Sequence, residues 1–78
     1  MPRYFFHIHD GASVLDDVGL DLPDIFAARS AAVELSGEIL KHDLADPLLP
    51  HVSWQVEVSD SPRLGGRSLL ILQFSVAG

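Results

Sequence analysis

The stretch RYFFHIHDGASVL, Arg3 to Leu15, decides the fold. Tyr4, Phe6 and Ile8 alternate with Phe5, His7 and His9, the two-residue period of a strand, and aromatic and β-branched side chains suit a pleated surface. Asp10-Gly11 is a dipeptide favoured in two-residue hairpin loops, where both central positions take positive φ. With those two residues as the whole loop, His9 pairs with Ala12, His7 with Val14 and Phe5 with Asp16. Tyr4, Phe6, Ile8 and Leu15 then share the core face, and Phe5, His7, His9, Val14 and Asp16 share the other.

Downstream, Asp16 to Gly19 reads as a strand end and turn, and Asp21-Leu22-Pro23-Asp24 as a helix start, with proline tolerated and carboxylates favoured in the first turn. Ile25, Ala28, Ala32, Leu35 and Ile39 step by three and four, one helical stripe that Phe26, Val33 and Leu40 widen. Gly37 costs this helix about 1 kcal/mol against alanine, so it is expected to mark close approach to the sheet. Asp46-Pro47 and Leu49-Pro50 bias the chain away from helix and place the helix end near Asp43. Trp54, Val56 and Val58 alternate with Gln55, Glu57 and Ser59 in a third strand, and after a turn-rich Ser61 to Gly66 loop, Leu69 to Val76 makes the fourth. The order is ββαββ: an α+β fold, a two-layer sandwich of one helix on a four-stranded, mainly antiparallel sheet, with strand order 2-1-3-4.

The chain has 78 residues, 47% hydrophobic and 21% charged, which implies one globular domain over residues 1–78. Eleven acidic against five basic side chains give a net charge of −6. That balance disfavours nucleic acid and anionic membranes and favours a basic protein partner. The chain has no cysteine, no apolar run long enough to span a bilayer and no signal-like start, so a soluble, cytoplasmic protein is expected.

His7 and His9 project from one face of the first strand with Asp16 diagonally across, a set able to ligate a transition metal; for strand histidines, ring packing with solvated nitrogens is the commoner role. His42 is placed to meet the helix C-terminal dipole. Asp16 and Asp17 alternate faces and read as solvated turn acids. No serine sits in a nucleophile elbow, and Gly65-Gly66 leads into a strand instead of the helix that a phosphate loop requires. No cofactor is implied, and the sequence supplies no catalytic motif. Arg3, Arg63 and Arg67 form too small a basic set for RNA on so acidic a chain. One helix covers one side of a sheet, which leaves Phe5, Val14, Leu69 and Ile71 on a second apolar face, the mixture expected of an interface. A long apolar last strand adds an edge that another chain would cover. These features point to a non-catalytic, self-associating module, with a metal or ligand site at His7, His9 and Asp16 as the alternative.

Pro2-Arg3-Tyr4-Phe5-Phe6-His7, Asp10-Gly11, Asp17 to Gly19, Leu22-Pro23-Asp24, Ala27-Ala28-Arg29 and Leu70 to Ser75 together resemble a family of short alphaproteobacterial proteins, a domain of unknown function. That resemblance implies no activity, cofactor or site residue. The hairpin leading to a helix through Asp-Leu-Pro also resembles compact acidic antitoxin domains, which implies a small basic protein as partner.

Overall fold

The computed structural model describes residues 2–10, 13–43, 51–63 and 65–77. Its elements are β1 (Arg3–His9), β2 (Ser13–Val14), β3 (Leu20–Asp21), α1 (Ile25–Asp43), β4 (His51–Ser59) and β5 (Ser68–Ala77). The sheet runs β2-β1-β4-β5, with β3 also paired to β1, and every pairing is antiparallel. The α+β architecture and the strand order follow the sequence reading, with one difference: the second strand is split into two short pieces.

The split begins with a register change. His9 pairs with Ser13 and Ile8 with Val14, so three residues, not two, separate β1 from β2. A slip of one residue sends each side chain to the opposite face. Val14 therefore lies on the helix side of the sheet, opposite to the face expected for it. Further along, Leu20 pairs with Tyr4, so six residues after Val14 oppose four on β1. The surplus loops out around Asp16.

The helix starts at a cap. Asp24 Oδ1 accepts the Ala27 N–H at 2.9 Å, satisfying a donor that the first turn leaves without an intrahelical partner. Pro23 sits just outside the first turn. The described helix runs to Asp43; the segment 44–50, which carries the proline signals, and the His42 side chain lie outside the described residues.

Tyr4, Ala28, Ala32, Val56 and Val58 form the buried centre, with Phe6, Leu22, Leu35, Ile39, Leu70, Leu72 and Phe74 packed around it. Trp54 meets Phe74 edge-on, ring centroids 6.2 Å apart, a favourable quadrupole arrangement. Close helix–sheet approach is made by the small side chains Ala28 and Ala32. The expectation for Gly37 is overturned: a Cβ there meets nothing within 4 Å. Nine residues of helix after Ala28 amount to about half a turn beyond two full ones, which carries Gly37 to the solvent side. Ser36, in contrast, is buried and donates its hydroxyl to the Ala32 carbonyl at 2.6 Å.

Candidate functional site

On the face away from the helix, His7 and His9 stand side by side on β1, each anchored at both ring nitrogens. The Asp16 N–H donates to His7 Nδ1 at 3.0 Å, and His7 Nε2 lies 2.9 Å from the Ser61 carbonyl. An amide can only donate and a carbonyl only accept, so one neutral tautomer fits, with the proton on Nε2. This ring is 1% exposed and ties the split strand to the β4–β5 connection. His9 differs. Its Nε2 lies 2.9 Å from Glu57 Oε1 and its Nδ1 2.8 Å from Ser13 Oγ. A hydroxyl both donates and accepts, so the pair of partners fits a neutral or a charged ring.

Asp16 organises the gap in the edge strand. Oδ2 accepts the Phe6 N–H at 3.1 Å and Oδ1 accepts the Val18 and Gly19 N–H groups at 3.0 Å. Its carboxylate thus replaces the missing backbone acceptor opposite β1 and closes an Asx turn. Burial pushes this carboxyl up, but the amides of Gly19, Phe6 and Val18 outweigh it and hold it below its ordinary value. Gly19 completes the turn at φ 74°, where a Cβ would stand 2.8 Å from Phe5 Cε1. Phe5, read as part of an exposed face, is accordingly buried beneath this turn. Glu57 is also lowered, chiefly by its hydrogen bond with His9, against burial and with help from Ser68.

Of the three residues the spacing suggested, His7 and Asp16 come into contact, through different atoms from those a metal would need, while His9 turns to Ser13 and Glu57. His7 meets the Asp16 amide, and the Asp16 oxygens face backbone donors. Among the described residues, no group of three or more histidine or acidic side chains is arranged to hold a metal ion. Ser13, His9 and Glu57 form a hydroxyl–imidazole–carboxylate chain, the order of groups that activates a nucleophile. Here it clamps β2 to β4 across β1.

The remaining candidates lie at the two edges of the sheet. Along β2 and β3, Phe6, Ile8, Val14, Leu15, Asp16, Leu20, Ala31 and Leu35 line a cavity of about 360 Å³ between α1 and the split strand. Sequence reasoning missed it, because Leu15 was expected in a closed core and the break in the strand was not foreseen. Along β5, Ile71 is 52% exposed and Leu69, also exposed, sits at a bulge where Ser59 pairs with Ser68 and Val58 with Leu70. On the helix, Phe26 is 72% exposed, with Val33, seven residues on, exposed beside it.

A helix on one face, histidine clamps on the other and unequal sheet edges make up a small α+β fold. The chain belongs to the family described as a domain of unknown function, DUF6894, whose profile matches residues 3–75. No curated protein and no solved structure matches it. Among the described residues, no helix is long and apolar enough to cross a membrane.

Proposed function

We propose that the protein is a non-catalytic interaction module that self-associates, a second copy extending the sheet along β5. The observation that carries this reading is β5 itself: ten residues, Ser-Leu-Leu-Ile-Leu-Gln-Phe-Ser-Val-Ala, at the end of the strand order and with no charged side chain or proline. An edge strand exposes a row of backbone donors and acceptors, and proteins that remain monomeric blunt such edges with lysine, proline or short length. β5 has a single irregularity, the bulge at its start. At about 3.3 Å per residue it offers roughly 33 Å of pairing edge.

A second copy suits this edge better than an unrelated strand does. Two-fold antiparallel pairing brings a surface against itself, and two copies each carrying −6 avoid mutual repulsion only where they meet through an uncharged element. The exposed side chains of Ile71 and Leu69 would gain cover as the second copy extends the sheet.

Light scattering over a wide concentration range tests this. The native chain should weigh twice its 8.5 kDa. The double variant Ile71→Lys, Gln73→Lys, which alters only exposed positions, should keep its circular dichroism spectrum and associate at least about tenfold more weakly. A native chain that stays at the monomer mass up to millimolar concentration overturns the reading.

A further inference from the structure

The opposite edge carries a second surface, independent of the self-association above. Val14, Leu15 and Leu20 line the 360 Å³ cavity and are themselves solvent-exposed, Val14 by 60%. The cavity is therefore a groove with apolar lips, at the small end of the range for binding sites. Its surroundings are acidic. Glu34 and Glu38 follow the groove residues Ala31 and Leu35 by three, which puts them on the adjoining helix flank. Asp17 follows the groove residue Asp16 on the other side. All three are exposed and form no ion pair among the described residues.

We infer that this groove docks a basic segment of another protein, with apolar side chains seated between α1 and β2/β3 and lysines or arginines facing Asp17, Glu34 and Glu38. Charge complementarity selects this occupant. A second copy would bring a net −6 against the acidic rim, and an anionic lipid or nucleic acid would be repelled in the same way. A basic partner is attracted at long range, and the apolar lips supply the area that rim charges alone do not.

The test uses a fluorescent amphipathic peptide of leucine and lysine, its leucine–glutamate counterpart, and a lysine–serine peptide without apolar side chains. Binding is read by anisotropy, and the site by amide shifts of isotope-labelled protein. Each titration is run on the native chain and on the Ile71→Lys, Gln73→Lys variant, so that the outcome does not depend on β5. The leucine–lysine peptide should bind saturably on both backgrounds, with shifts centred on Leu15, Leu20, Ala31 and Leu35. Glu34→Lys with Glu38→Lys should weaken it about tenfold, and the other two peptides should bind at least about tenfold more weakly than the first. Comparable binding of the leucine–glutamate peptide, shifts centred on β5, or no binding of the leucine–lysine peptide overturns the inference, as does binding of the protein to vesicles of anionic phospholipid.

Discussion

The two edges of the sheet solve the same problem in opposite ways. At the β2/β3 edge the strand is cut into two pieces of two residues, and a carboxylate is spliced into the ladder where the backbone leaves it. At the β5 edge the strand runs for ten residues and, among the described residues, no further strand pairs with it. The first edge is protected from pairing by irregularity and charge; the second has neither along most of its length. An edge strand is governed less by its hydrophobicity than by whether its backbone groups already have partners.

The splice rests on Asp16, so its removal is the most severe way to break the contrast. Asp16→Ala leaves the amides of Phe6, Val18 and Gly19 without their acceptor and should cost about 3 kcal/mol in urea unfolding. Loss below about 1 kcal/mol would show that water takes over these amides at little cost.

Gly19→Ala attacks the same turn through sterics. Its left-handed φ and the Phe5 ring 2.8 Å from a new Cβ should together cost about 2 kcal/mol and move the Phe5 ring signals. An unchanged melting temperature would mean that the turn has another conformation within easy reach.

Acid acts on the edge more gently. Asp16 and Glu57 both have folded-state values below their ordinary ones, so the folded state binds protons less readily than the unfolded chain. Their stabilisation is complete above the unfolded values of about 3.9 and 4.3, and is lost as pH falls from there through the folded values. Thermal melts at stepped pH should show stability falling below about pH 4, with a shallower slope in Asp16→Asn. An identical slope would remove Asp16 as a source of the dependence.

The smallest effect is a gain. Gly37→Ala lies on the solvent side of α1 with open space around its Cβ, so it should stabilise by up to about 1 kcal/mol and leave both edges as they are. A loss of stability would show that the outer helix surface is covered.

Much of this arrangement was legible in the residues. The alternation in β1, β4 and β5 and the three-four stripe of α1 fixed the layers, and the two-sided hydrophobicity of β1 placed it inside the sheet. The turn after His9 was misjudged by one residue, because Asp-Gly favours a tight loop locally while the clamp of His9 to Ser13 favours a longer one. That slip moved Val14 across the sheet. The nearness of His7 to Asp16 was legible too, but its chemistry was not: periodicity locates a side chain and does not say that an amide, and not the carboxylate, will face the ring. The acidic groove arises from residues in β2, β3 and α1 that only the folded chain brings together.

Amide hydrogen exchange along β5 reads the central contrast most directly. If a second copy covers this edge, all β5 amides should be protected at high protein concentration, and alternate ones, those pointing away from β4, should become fast on dilution. Alternate amides that exchange at loop-like rates at every concentration would contradict the account and leave β5 an uncovered edge.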